Sequence, residues 1–195
     1  MAMKTLEPGL AVDRVLELQL WREATYIFSS GPGHGGCGPY GLALAADRRG
    51  FAAEIHVSHP GLFLESRIRD PERLEVRRVL QERDLSALRE RGIPVHHSVP
   101  KLAELESRFA DGWIPLVLVS TFYLHGDHVP HWVVITGFEP DAVRINDPWV
   151  DRAKGKTPLE MTDVRIPRKD FDRMARFGRQ RERAIVLIGR RSARG

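Results

Sequence analysis

The chain of 195 residues holds one cysteine, Cys37, in a run of small residues: Gly35-Gly36-Cys37-Gly38-Pro39-Tyr40-Gly41-Leu42-Ala43-Leu44-Ala45-Ala46. With no second cysteine there is no internal disulfide, so the chemistry on offer is that of a free thiol. The run reads as a glycine-rich loop entering a helix. Pro39 suits the first helical turn, where its missing N–H costs nothing. Leu42 to Ala46 are helix formers or small residues, and Gly50 fits a left-handed stop. Cys37 then stands at or just before a helix N-terminus. There the dipole and the free N–H groups favour an anion, and the thiol pKa is expected to fall. Glycines on either side let a second chain come close. A buried structural cysteine is the competing reading.

A thiol nucleophile needs a base, and an imidazole base needs a third group to fix its tautomer. His131 opens an apolar strand, His-Trp-Val-Val-Ile-Thr-Gly-Phe, and a polar residue at the mouth of such a strand lies where a cleft can form. Asp147 follows the next strand and precedes Pro148, which cannot donate to a sheet ladder. If Glu139-Pro140-Asp141 is a three-residue hairpin loop, Phe138 faces Ala142 and His131 faces position 149. Asp147 then lies on the same face, one diagonal step away and within side-chain reach. A loop of two or four residues would reverse that parity.

Cys37-Gly38-Pro39, then His131-Trp132-Val133-Val134, then Asp147-Pro148 resembles the papain-like cysteine peptidases that process bacteriocin leader peptides, over about residues 24 to 190. The resemblance implies an α+β papain-like fold, with a cysteine-bearing helix packed on an antiparallel sheet carrying the histidine and the aspartate. It implies Cys37 as nucleophile, His131 as general base and acid, and Asp147 as the group orienting His131. It also implies cleavage of a peptide or amide bond through a thioester acyl-enzyme, often after small residues. Those peptidases place a Gln six residues before the nucleophile. Here that position is Gly31, and Gln19 lies too far upstream to replace it. The backbone N–H of Cys37 remains as one oxyanion donor, with Ser29, Ser30 and His34 as candidates for the second.

The elements that must position these groups follow from periodicity and turn chemistry. Residues 1–20 read as an N-terminal extension, with Leu16, Leu18 and Leu20 alternating as in a strand or a marginal amphipathic segment. Strands are expected at 24–28, 52–57 and 93–97, then centrally at 114–124, and at 131–138, 142–146 and 184–188. Asp70-Pro71-Glu72 is a helix start, with a capping Asp, Pro at the first position and an acid in the first turn. That helix, or a pair broken near Asp84, ends by Gly92, with its Arg and Glu residues on a solvated face. Further helices are expected after Pro100, with Leu102, Leu105 and Phe109 on one face, and after Pro167, with Phe171 and Met174 on one face. Residues 151–163 read as a polar loop. The whole, 1–195, reads as one domain with an Arg-rich tail over 190–195.

Composition narrows the partners. Charged residues make up 29% and the formal net charge is +4, with acidic residues nearly balancing the basic ones. Nucleic acid is therefore not expected. No apolar run reaches signal-peptide or membrane-span length, which points to a cytoplasmic protein. The expected partner is a peptide or protein substrate, with no cofactor and no metal. His125, His128 and His131, with Asp127 among them, could bind zinc but lie between two strands and read as a polar hairpin loop; His96-His97 reads as a surface pair. Two other functions fit the same residues. One is a Cys-His-Asp acyl transferase, which differs only in its acceptor. The other is a non-catalytic peptide-binding domain, which the missing Gln favours, since losing one oxyanion donor costs roughly two to three orders of magnitude in rate.

Overall fold

The computed structural model describes residues 1–27 and 34–191, with the backbone alone at 27, 34 and 153. Its central element is helix α3 (Pro39–Asp47), buried along almost its whole length. A helix apolar all round must sit inside a protein, and α3 is covered on several sides. Helix α2 (Arg14–Ala24) crosses it at Gly41, where an added Cβ would lie 2.7 Å from Ala24 Cα. The large sheet covers it through strands β3 (Phe51–Val57) and β9 (Ala184–Arg190), and helix α4 (Pro71–Glu90) packs beside it.

Seven strands form the sheet in the order β4-β3-β9-β5-β6-β7-β8. The remaining members are β4 (Val95–His96), β5 (Ile114–Ser120), β6 (Pro130–Phe138), β7 (Ala142–Asn146) and β8 (Val164–Pro167). The β3–β4 pair is parallel and every other pair is antiparallel. The last strand lies between β3 and β5, so the end of the chain closes the middle of the sheet. Alternate residues feed two cores. One joins Leu118, Val134, Val186 and Ile188 to α3 and β3; the other joins Val117, Val133, Ile135, Ile145 and Ile185 to helices α5 (Leu102–Ala110) and α7 (Arg168–Met174). This is the expected α+β architecture, with helix α3 packed on a largely antiparallel sheet, but the cysteine lies in the strand just before that helix and not on it. A separate antiparallel pair, β1 (Thr25–Ile27) with β2 (His34–Cys37), leads into α3.

Several local expectations are corrected. Residues 1–20 form no strand: helix α1 (Ala2–Leu6) buries Ala2 and Leu6 in the first core, and α2 starts at Asp13, whose side chain accepts from Leu16 N at 2.8 Å. The leucine alternation misled because Leu18 stays exposed while the segment is rich in helix formers. Helix α4 runs unbroken past Asp84. Asp70 caps it as expected, accepting from Arg73 N at 3.0 Å. Its basic face is not wholly solvated, for Arg77 is 3% exposed, with its guanidinium 3.3 Å from the Tyr26 ring centroid. The apolar run from Ile114 stops as a strand at Ser120. Phe122–His125 then turns once as helix α6, closed by Gly126 at φ 85°. The loop over 151–163 contains two short 3-10 turns. Among the described residues, no helix is long and apolar enough to cross a membrane.

Candidate active site

Cys37 ends β2, directly before α3. Gly38 is the N-cap residue and has no side chain to cap with, so the cysteine stands one position outside the helix. Its place is set by backbone contacts. Gly38 N–H donates to Ala24 O at 3.0 Å, and the Trp132 indole N–H donates to Cys37 O at 2.8 Å. In an antiparallel ladder bonded and non-bonded pairs alternate. The Thr25–Cys37 pair follows the bonded Ala24–Gly38 pair, so the Cys37 N–H points away from β1, on the same edge as its carbonyl. Gly38 packs face-on against Tyr26, where an added Cβ would lie 2.0 Å from a ring carbon.

The thiol departs from expectation. Burial pushes the Cys37 thiol up rather than down. The Thr25 hydroxyl beside it pulls the other way, but that oxygen has no completed hydrogen bond. The dipole effect fades within the first turn, and Cys37 stands outside the N-cap of α3.

The other half of the site lies at the ends of β6 and β7. His131 Nε2 bonds Asp147 Oδ1 at 2.5 Å, so the sequence-predicted pair is joined. The hairpin reaches that register by two compensating steps. Phe138 pairs with Val143, so the loop holds four residues rather than three; a β-bulge between Ile135 and Gly137 then takes up the extra residue, and Ile135 pairs with Ile145. Beyond the bulge, the register is the one a three-residue loop would give.

Asp147 is 4% exposed, and three donors converge on it. Besides His131, Trp149 N–H donates to Oδ1 at 2.8 Å and His125 Nε2 bonds Oδ2 at 2.8 Å. Burial works against its charge, but the bonds from His131, the Trp149 amide and His125 outweigh that cost and hold the carboxyl below the usual range. His125 is the site residue that sequence reasoning missed. The helical turn α6 buries its side chain completely, against Trp149 at 4.4 Å between ring centroids. Lys154 Nζ and Lys156 Nζ hold that turn by donating to His125 O and Leu124 O at 2.6 and 2.9 Å. The usable signal was the His-x-x-His-x-x-His run. Two of its members meet on one carboxylate, whereas His128 stacks on Phe122 at 4.5 Å.

Cys37 and His131 line one cavity of about 540 Å³. Trp21, Leu64, Ile68, Leu118, Val129 and Trp132 give it apolar walls, and Arg67 and Arg77 add positive charge. By strand alternation Trp132 falls on the α3 face and His131 on the other, and both reach the cavity because it opens at the first residues of β6. Among the described residues, no hydrogen bond joins Cys37 Sγ to His131. Catalytic bonds in ligand-free sites are often long and tighten on binding. Gln19 is exposed on α2. Gly31 and the oxyanion candidates Ser29 and Ser30 lie outside the described residues; of His34 the backbone alone is described, in β2.

A helix presenting a cysteine across a cavity from a sheet that presents a histidine and an aspartate is the arrangement of papain-like proteins. The chain belongs to the family described as "Peptidase_C39 like family", whose model matches residues 1–189. No curated protein and no solved structure matches the chain.

Proposed function

We propose that this protein is a cysteine peptidase-like hydrolase, with Cys37 as nucleophile, His131 as general base and acid, and Asp147 orienting His131. The observation that carries this reading is the His131–Asp147 bond at the rim of the cavity that Cys37 lines. With Nε2 bound to Asp147, Nδ1 is the ring nitrogen left to exchange a proton with the thiol. In the reaction, His131 takes the thiol proton and the sulfur attacks the carbonyl carbon of a peptide or amide bond. The tetrahedral oxyanion would be met by the Cys37 N–H. Collapse breaks the C–N bond, His131 gives its proton to the departing amine, and an acyl thioester stays on Cys37. Water, deprotonated by His131, then releases the acid and restores the thiol. The apolar walls fit an extended peptide segment, and the arginines favour acidic groups along it.

A thiol pushed up by burial also supports a second reading, a non-catalytic domain that holds a peptide in the same cavity. Iodoacetamide alkylation of Cys37, followed by mass spectrometry from pH 5 to 10, separates the two. For a working pair, wild type reacts at least tenfold faster at pH 7 than His131→Ala. Equal rates in the two proteins, each rising only above about pH 8.5 as for an ordinary thiol, would remove His131 from the mechanism and leave the binding reading.

A further inference from the structure

Remote from the cavity, at the edge of the sheet, Glu54, His56 and His96 converge. Their ligand atoms all lie within 4.8 Å of one another. Glu54 and His56 are two apart on β3 and so share a face. His96 is the register partner of His56 on the parallel strand β4. Glu54 Oε1 sits 2.9 Å from His56 Nε2 and 3.3 Å from His96 Nε2. Arg108 holds the other oxygen, Oε2, which leaves Oε1 to face the two imidazoles.

His56 Nδ1 faces Ser98 O at 3.1 Å, and its Nε2 faces the carboxylate. The His56 and His96 rings lie side by side, with centroids 4.6 Å apart at 17°. One divalent ion would serve a nitrogen from each ring and the carboxylate at once. Metal–nitrogen bonds of 2.0–2.1 Å in a tetrahedron put neighbouring ligand atoms about 3.3 Å apart, close to the two separations from Glu54 Oε1. The Ser98 carbonyl on Nδ1 and Arg108 on the far carboxylate oxygen are the outer contacts that usually orient such ligands.

We propose that Glu54, His56 and His96 form a binding site for a divalent transition-metal ion of the zinc class, with the fourth position open to solvent beside the half-exposed His96. Such an ion would tie the two-residue strand β4 to β3. This site is independent of the reading of Cys37.

The test is titration of the full-length protein with zinc chloride by isothermal calorimetry. It uses Cys37→Ser as the parent, so that the thiol cannot bind the metal. The parent is expected to take up one equivalent and to melt at a higher temperature with zinc. His96→Ala, at the exposed edge, should keep the fold and bind at least tenfold more weakly, and His56→Ala likewise. No stoichiometric uptake by the parent, or undiminished affinity in both histidine variants, would overturn the proposal.

Discussion

Asp147 and Cys37 are both largely withdrawn from water, yet burial ends in opposite charge states. Around Asp147 the sheet supplies two imidazoles and a backbone amide, and the carboxyl is held below its usual range. Around Cys37, among the described residues, the Thr25 hydroxyl works against burial without outweighing it, and the thiol is pushed up. The sheet half is electrostatically complete as folded. The helix half is fixed in position by Trp132, Gly38 and Tyr26, but burial acts on its thiol without a comparable set of bonds to offset it. This division makes the two halves separately testable.

The largest effect should come from the sheet half. Asp147→Ala strips three donors of their acceptor and leaves the completely buried His125 without its bond. Leaving a buried donor unsatisfied typically costs about 1–3 kcal/mol, and with several donors stripped at once urea unfolding at pH 7 should show a loss at or above the top of that range. The pH dependence has a definite sign. A carboxyl whose pKa is lowered by folding contributes stability that is complete above its unfolded value of about 3.9, and that stability is lost as the pH falls through the folded value. The gap between wild type and Asp147→Asn should therefore close on acidification below about pH 4. A gap that is constant from pH 7 to pH 3 would mean that Asp147 carries no special charge stabilisation.

The same division governs what was legible in the sequence. Strand and helix existence at 51–57, 71–90, 130–138 and 184–190 was readable because periodicity, caps and β-branched runs are local signals. The His131–Asp147 pairing was reached through a three-residue loop; the actual loop is longer by one residue, and the bulge beside Thr136 cancels the difference. Nothing local marks that bulge, since it answers to the register of two packed strands. His125 was hidden because the apolar run through Leu124 resembles a continuing strand. Only the turn at Thr121, whose hydroxyl accepts from Val129 N–H and donates to Asp127 O, bends it into the site. The direction of the thiol shift was misjudged for a related reason. Helix position is local, whereas desolvation depends on everything packed around α3.

On the helix half, the next effect concerns how the nucleophile is seated. Gly38→Ala drives a Cβ into the ring of Tyr26, which is buried and packed against the Arg77 guanidinium. Overpacking of this kind costs typically about 1–3 kcal/mol. Gly36→Ala, where an added Cβ meets nothing within 4 Å, is the matched control and should stay within about 0.5 kcal/mol of wild type. Equal stability of the two variants would show that the Tyr26–Gly38 contact does not hold Cys37 in place.

The smallest effect discriminates best between the halves. Trp132→Phe keeps an aromatic ring on the α3 face and removes only the indole N–H that donates to Cys37 O. The expected stability cost is about 0.5–1.5 kcal/mol, that of one ordinary hydrogen bond. The neighbouring His131–Asp147 bond has no atom in common with it, so the imidazole proton resonances of His131 and His125 should be unmoved. The Cys37 alkylation rate should change severalfold, because the freed carbonyl lets the end of β2 shift against β6. If the imidazole resonances move with the rate, the two halves are one coupled unit, and the division between a finished sheet half and a waiting helix half fails.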